Sequence, residues 1–178
     1  MFHKILVPMD RSAISQQVFD EALSLAKATG ASLFLLHVLS AEEEGSPDTV
    51  MPSPSLISYS QDLYEELLTN YQKRWKAFEE EGLELLRSHT SQATAAGVSA
   101  EFTQLRASPS REICNLADTW QADLILMGRR GRSGLSELFL GSVSNYVFHH
   151  APCSVLTVQS PASKKIQSLQ TEQAELPT

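Results

Sequence analysis

The chain is poor in several features, and each shortage excludes a class of protein. Its 178 residues include only two cysteines, Cys114 and Cys153, and both sit among apolar residues. This setting predicts two buried free thiols rather than a disulfide or half of a metal site. No apolar run reaches the roughly 18 residues of a membrane span, and the first apolar run is too short for a signal peptide. We therefore expect a cytoplasmic protein that does not enter a membrane.

Positive charge is also scarce. Lysine and arginine number 14 against 21 acidic residues, which gives a formal net charge of −7. A nucleic acid would be repelled by such a surface, so general nucleic-acid binding is not expected. With 42% hydrophobic residues, the composition predicts one globular domain with a sizeable core.

Five short apolar runs predict the strands of a parallel sheet, because strands that are covered on both faces are nearly continuous in Ile, Leu and Val. Helical patterns separate them, so the order is β-α-β-α-β-α-β-α-β. This order predicts a single doubly wound α/β domain with right-handed crossovers and strand order 3-2-1-4-5. The predicted strands are Lys4–Met9, Ser32–Leu39, Val98–Leu105, Asp123–Met127 and Ser154–Val158.

The predicted helices are delimited by capping residues. Ser12 is a predicted N-cap and Gly30 a predicted C-cap of the first helix. A long stripe from Tyr64 to Ala96 predicts the second helix, and Gly82 lies within it. The third and fourth helices are predicted over Pro109–Trp120 and Val143–His150.

Two segments are expected to lie outside the core. Residues 40–55 contain three consecutive glutamates and three prolines, which predicts an acidic, mobile loop. Residues 160–178 are polar and lack aromatic side chains, which predicts a disordered tail. The expected domain is therefore 1–159.

A glycine-rich stretch follows the predicted fourth strand. Gly128-Arg-Arg-Gly131 is followed after nine residues by Gly141-Ser-Val-Ser144, where a helix is predicted to begin. Glycines allow close approach of the backbone to an anion, and a helix N-terminus offers unpaired N–H groups, so the order predicts a phosphate site. The sequence lacks a P-loop lysine, and the motif lies too late in the chain for a dinucleotide G-x-G-x-x-G loop. The first strand also lacks the Ser-Gly-Gly loop of an ATP pyrophosphatase.

The run from Met127 to Val158, with its G-x2-G-x9-G-S pattern, resembles the C-terminal signature of the universal stress protein family and of its ATP-binding branch. Lys4-Ile-Leu-Val-Pro-Met-Asp10 is similar to the opening strand of that family, and Ala122–Gly128 to its fourth strand. The resemblance spans about Phe2 to Val158. It implies an adenine nucleotide alpha hydrolase-like fold and an ATP site, with ADP or AMP as the other adenine ligands, and with Mg²⁺ on the phosphates.

The same resemblance implies a role for each site residue. Asp10 would face the ribose hydroxyls or a divalent ion. Pro8 and Val38 would wall the adenine, and backbone groups of the glycine loop and of the last helix would hold the phosphates. Three arginines, including Arg132, would add positive charge there. The implied nucleotide-binding residues are Pro8, Asp10, Val38, Met127, Gly128, Arg129, Arg130, Gly131, Gly141, Ser142, Val143 and Ser144.

Alternative interpretations remain for several of these residues. Asp10 could cap the first helix instead of contacting a ligand, and both roles are compatible. Each arginine could simply be solvated, and the glycine loop could be a tight connection with no ligand. Arg11 stands where the family often has glycine, so we expect a narrower or differently charged base pocket.

Three functions are compatible with the sequence. The favoured one is an ATP-dependent switch or adaptor in the stress response. The second is a slow ATPase or an autophosphorylating phosphotransferase, for which Asp10 is the only candidate base and no catalytic residue can be assigned. The third is a sensor of AMP or of a cyclic dinucleotide. We also expect a homodimer, because the apolar strand Ser154–Val158 lies at the sheet edge.

Overall fold

A computed structural model of the chain describes residues 1–43, 45–47, 53–128 and 141–159. Five strands and four α-helices alternate along them, with a 3₁₀ turn over Pro54–Ser58. The strands are β1 (Lys4–Met9), β2 (Ser32–Leu39), β3 (Ala100–Arg106), β4 (Leu124–Gly128) and β5 (Ser154–Val158). The helices are α1 (Ser15–Thr29), α2 (Gln61–Ala95), α3 (Pro109–Trp120) and α4 (Ser142–His150).

The strands form one parallel sheet in the order β3-β2-β1-β4-β5. This is the predicted order, so the doubly wound α/β fold is confirmed. Successive side chains of a strand point to opposite faces of the sheet. In β1, Ile5 and Val7 pack on the face covered by α1 and α2, whereas Leu6 packs on the face covered by α3 and α4. Burial on both faces explains why the strands are apolar almost throughout.

Three of the strands have the predicted bounds, and β3 and β4 are shifted by one or two residues. Asp123 was predicted to open β4, but it lies just before the strand. Its carboxylate accepts hydrogen bonds from the backbone N–H groups of His3 and Lys4, at 2.7 and 2.8 Å. These two bonds hold the pKa of Asp123 below its ordinary value. The side chain therefore ties the start of β4 to the start of β1.

The predicted start of α1 is wrong, and its predicted end is confirmed. Ile14, not Ser12, occupies the N-cap position, and it makes no side-chain cap. The Ser12 hydroxyl is engaged with the Asp10 carboxylate instead. At the other end, Gly30 has a φ of +72° and donates its N–H to the carbonyl of Ala26. Only glycine adopts that left-handed conformation readily, which is why the helix ends there.

Helix α2 is 35 residues long, or about 52 Å at 1.5 Å per residue. Its side chains become buried only from Trp75 onward, so the turns from Gln61 to Arg74 contain no buried residue. Gly82 is buried in the second half, where a Cβ would overlap His37 and Gln104. The glycine is therefore required by the packing of α2 on β2 and β3.

Both cysteines are free, as predicted, but they are half-buried rather than buried. Burial raises the pKa of the Cys114 and Cys153 thiols.

No helix in the described ranges combines the length and the apolar character that a membrane crossing needs. The predicted tail, 160–178, lies outside the described residues.

Candidate functional site

The candidate site lies at the carboxyl ends of β1 and β4. These strands are neighbours in the sheet, and the chain turns from them toward opposite edges. Loops after two such strands diverge and leave a crevice, which is where doubly wound sheets bind ligands. Asp10 follows β1 directly, Gly128 ends β4, and Gly141 precedes α4 at the same edge.

A cavity of about 330 Å³ occupies this crevice. It is lined by residues from β1, β2, β4 and the start of α4, which are far apart in the sequence. Arg129, Arg130 and Gly131 fall outside the described residues, so the structure does not place them. The predicted residues that line the cavity are Pro8, Asp10, Val38, Met127, Gly128, Gly141, Ser142, Val143 and Ser144.

Asp10 is oriented by the turn that follows it. Its Oδ1 accepts the backbone N–H of Ser12 at 3.0 Å and also the Ser12 hydroxyl. Its own N–H donates to the Ser15 hydroxyl at 3.2 Å. Asp10 is thus not the N-cap of α1, because that position belongs to Ile14. The turn holds the carboxylate at the cavity wall, where it can accept hydrogen bonds from a hydroxyl.

Gly128 has a packing role that the sequence did not reveal. A Cβ at this position would lie 3.0 Å from Ile14 Cγ2 and 3.2 Å from Val18 Cγ2. Both contacts are closer than ordinary van der Waals distance, so the glycine lets α1 approach β4. This requirement exists whether or not the following loop holds a phosphate.

The first turn of α4 forms one wall of the cavity. Gly141 is its N-cap residue and provides no side-chain cap, and its carbonyl accepts the N–H of Asn145 at 2.8 Å. The first N–H groups of a helix have no partner within it, and they carry partial positive charge. The Ser144 hydroxyl is buried and donates back to the Gly141 carbonyl at 3.3 Å. Backbone donors therefore dominate this wall.

The acidic segment after β2 contributes a residue that sequence analysis missed. Glu43 was predicted to belong to a mobile loop outside the core, but its side chain is only 4% exposed and it lines the cavity. Its two carboxylate oxygens lie 2.9 and 3.0 Å from Nε2 of His37, and Oε1 also accepts the N–H of Arg11. A signal was available, since a histidine inside an apolar strand needs a polar partner.

Gln104 determines which nitrogen of His37 carries the proton. The Gln104 Nε2 lies 3.2 Å from the Glu79 carbonyl oxygen and 2.8 Å from His37 Nδ1. An amide nitrogen only donates, so Nδ1 accepts and the ring proton lies on Nε2, toward Glu43. The Nε2–H of His37 therefore donates to the buried carboxylate of Glu43.

The prediction that Arg11 narrows the base pocket is wrong, because Arg11 does not line the cavity. Its guanidinium pairs with Glu81 and lies over the Phe78 ring, 5.1 Å from the ring centre. The side chain therefore leaves the crevice and packs on α2. Further lining residues that sequence analysis missed are Met9, Ser12, Ile14, Ser15, Val18, Leu36, Ser40, Glu42, Pro109 and Ile113.

Metal binding by side chains alone is not supported in the described ranges, where no three His, Cys, Asp or Glu residues cluster closely enough to hold an ion. Asp10 could supply one oxygen, and a Mg²⁺ ion would need the remainder from a ligand or from water. His149 and His150 lie at the end of α4, and His150 Nδ1 donates to the Tyr146 carbonyl at 2.9 Å.

Comparison with known proteins agrees with this architecture. Residues 1–159 match the model of the universal stress protein family. The chain is 35% identical to universal stress protein Sll1388 of Synechocystis over 161 residues, which are 89% of this chain and 98% of that protein.

Solved structures show the same fold. UspA from Lactobacillus plantarum superposes with a TM-score of 0.63 and 25% identity, covering 88% of this chain and 97% of that one. A family protein from Arabidopsis thaliana, solved with AMP bound, gives 0.56 and 20% identity over 91% and 94% of the two chains. From its sequence, its fold and these relatives, the chain belongs to the universal stress protein family.

Proposed function

We propose that the chain binds an adenine nucleotide, with ATP as the principal ligand, in the cavity between β1 and β4. One observation carries the proposal: four separate segments of the sequence bring nine of the predicted nucleotide-binding residues to one cavity. The bound AMP of the Arabidopsis relative supports the same ligand class.

The chemistry of the cavity walls suggests an orientation for the ligand. The unpaired backbone N–H groups of the first turn of α4 are hydrogen-bond donors, so the phosphates would lie there. Carboxylates of Asp10, Glu42 and Glu43 line other parts of the cavity and would repel phosphate, but they can accept hydrogen bonds from ribose hydroxyls. Pro8 and Val38 provide apolar surface for the base. In this proposal Arg129, Arg130 and Gly131 complete the phosphate site.

A Mg²⁺ ion fits this donor set when the phosphates supply most of its oxygens and Asp10 supplies at most one. Such an ion would neutralise phosphate charge. The described residues do not need it to form the cavity, since Asp10 is held by Ser12 and Ser15. The expected ion is therefore recruited with the nucleotide rather than resident in the protein.

We further propose that the protein is a nucleotide-dependent switch or adaptor in the stress response, and that it forms a homodimer through β5. Asp10 Oδ1 already accepts two hydrogen bonds from Ser12, which makes Asp10 a poor general base for phosphoryl transfer. Binding without rapid turnover is the function this geometry favours.

A charge placed at Gly141 tests the nucleotide site. Aspartate is a favoured N-cap residue, so Gly141→Asp should leave α4 intact while it repels phosphate. We expect the unaltered protein to bind ATP in isothermal titration calorimetry and the variant to lose at least about ten-fold in affinity. Ser88→Asp adds the same charge on the exposed side of α2 and should bind normally.

The ligand itself can be identified by mass spectrometry of the purified protein. Absence of any co-purified or titratable adenine nucleotide would refute the proposal. Sustained release of phosphate from ATP that disappears in Gly141→Asp would instead establish an ATPase. Preference for AMP or a cyclic dinucleotide over ATP would favour a sensor of those ligands.

A further inference from the structure

A second cavity of about 660 Å³ adjoins the nucleotide cavity. It lies at the carboxyl ends of β2 and β3, between the starts of α3 and α4. Five residues line both cavities, so the two are contiguous: Ser40, Glu42, Pro109, Ser142 and Val143. The proposed nucleotide site gives this second space no role.

Trp75 provides the first sign of a ligand here. It lines the second cavity, yet it is only 8% exposed. Its indole Nε1 is buried without a hydrogen-bond partner, the single such side-chain atom in the described part of the chain. A buried donor without an acceptor is costly, and natural proteins rarely keep one. The indole N–H therefore calls for an acceptor that the described residues do not supply.

Arg106 provides a positive charge beside that donor. It ends β3, and its guanidinium lies 4.5 Å from the centre of the Trp75 ring. The ring restricts the guanidinium while leaving its N–H groups available for an anion. No ion pair to Arg106 occurs among the residues the structure describes.

The start of α3 adds donors of a third kind. Ser108 is the N-cap residue but makes no side-chain cap, and its hydroxyl lies 3.4 Å from that of Ser110. Both serines line the second cavity, at the positive end of a 12-residue helix. Among the described lining residues one carboxylate opposes these donors, that of Glu42 on the wall shared with the first cavity.

We propose that the second cavity binds a phosphate group, which accepts from Trp75, Arg106 and the start of α3. The proposal rests on the proposed nucleotide function, because the contiguous cavities let one ligand span both. The phosphate then belongs to a dinucleotide whose first half occupies the site between β1 and β4. A separate inorganic phosphate has the same chemistry and is the other source.

Two substitutions remove the donors and retain side chains of similar type at both positions. Trp75→Phe deletes the N–H and retains an aromatic ring under Arg106, and Arg106→Gln removes the charge. Trp120→Phe and Arg87→Gln make the same chemical changes away from both cavities. Since the chain has two tryptophans, Trp120→Phe also leaves Trp75 as the only fluorescent indole.

Binding of ATP, diadenosine tetraphosphate and inorganic phosphate is measured by calorimetry and by Trp75 fluorescence. We expect diadenosine tetraphosphate to bind more tightly than ATP. Trp75→Phe and Arg106→Gln should each weaken the dinucleotide about five-fold or more and leave ATP within about two-fold. The two control variants should match the unaltered protein. Thermal unfolding verifies that each variant is folded.

Each outcome has a distinct meaning. A Trp75 fluorescence change with inorganic phosphate, but no advantage of the dinucleotide over ATP, supports the site with a separate phosphate as its ligand. Equal binding of every probe by folded Trp75→Phe and Arg106→Gln overturns the proposal. Equal loss of ATP and dinucleotide also overturns it, because the residues would then belong to the first site. Phosphate binding without any nucleotide binding refutes the proposed function and leaves the second site standing.

Discussion

Nε2 of His37 donates to the carboxylate of Glu43 across only six residues of sequence, and both side chains are almost completely buried. The pair fastens the segment after β2 to the middle of the fold. It also places a carboxylate in the wall of the nucleotide cavity. Stability and site geometry are therefore linked at one contact.

Breaking the pair of His37 and Glu43 should lower the free energy of unfolding. In His37→Leu the Glu43 carboxylate stays buried without its main donor and keeps only the Arg11 N–H, so we expect a loss of about 1.5 to 3 kcal/mol in the free energy of unfolding. Urea denaturation followed by circular dichroism measures it. Lys76→Gln, which removes an exposed ion pair to Glu80 at 3.8 Å, should cost at most about 1 kcal/mol. A His37→Leu loss as small as the control would show that the pair contributes little.

Gly82→Ala should destabilise a helix that alanine normally favours. In an exposed helix this change gains about 1 kcal/mol. Here the new Cβ would overlap His37 and Gln104, so we expect a loss of about 1 to 3 kcal/mol. Ser88→Ala on the exposed side of the same helix should change stability by less than about 0.5 kcal/mol. A stabilised Gly82→Ala protein would contradict the packing.

Gly128→Ala, followed by urea denaturation, tests whether the packing of α1 on β4 requires that glycine. Its Cβ would press on Ile14 Cγ2, and overpacking of this kind costs about 1 to 3 kcal/mol. Ile14→Ala removes the obstructing methyl group. We therefore expect the double variant to lose less stability than the sum of the single variants. Full additivity would mean that the close approach of α1 is not what requires glycine.

Asp123 should contribute stability in a pH-dependent way. Its pKa in the folded state is held below the ordinary value of 3.8 by the N–H groups of His3 and Lys4. A depressed pKa stabilises the fold above that ordinary value, and the contribution is lost as the pH falls through the folded pKa. Asp123→Asn should therefore be less stable than the unaltered protein at pH 7, and the difference should shrink below pH of about 3.8.

Urea denaturation at pH 7 and at pH 3 measures this difference. Asp20→Asn, on the exposed side of α1, is the matched control for the change from a carboxylate to an amide. A pH-independent difference between Asp123→Asn and the unaltered protein would contradict the linkage.

The proposed dimer through β5 can be disrupted at Leu156. This residue is 42% exposed on an edge strand, whereas Val158 of the same strand is buried in the core. Leu156→Lys should shift the protein toward monomer without unfolding it, because a charge at an edge opposes strand pairing. Light scattering gives the mass. Glu101→Lys, on the opposite edge strand, should leave the mass unchanged, and a Leu156→Lys protein that remains dimeric would refute the interface.

Elements with strong periodicity could be predicted from the sequence. The bounds of β1, β2 and β5 were correct because each is an apolar run between polar residues. The end of α1 was correct because Gly30 takes a left-handed conformation. These features depend on local chemistry, which the sequence displays directly.

Features that depend on tertiary contacts could not be predicted in the same way. Ser12 looked like an N-cap, but the Asp10 carboxylate competes for its hydroxyl. Glu43 looked like part of a mobile acidic loop. A histidine inside the apolar strand β2 signals that a polar partner is needed, but not which residue provides it. Nine predicted site residues converged because the parallel topology brings strand ends together, whereas Arg129, Arg130 and Gly131 lie outside the described residues.

The long helix α2 carries a consequence for motion in solution. Its turns from Gln61 to Arg74 contribute no buried side chain, and the anchored part begins at Trp75. Opening of those first turns breaks helical hydrogen bonds and the partial packing of Tyr71 on Trp75, but no fully buried contact, so their amides would exchange with solvent without unfolding of the domain. The boundary between the fraying and the anchored part of α2 thus falls on the indole that lines the second cavity. A ligand bound in that cavity would therefore slow amide exchange in the first turns of α2, over about 20 Å of helix.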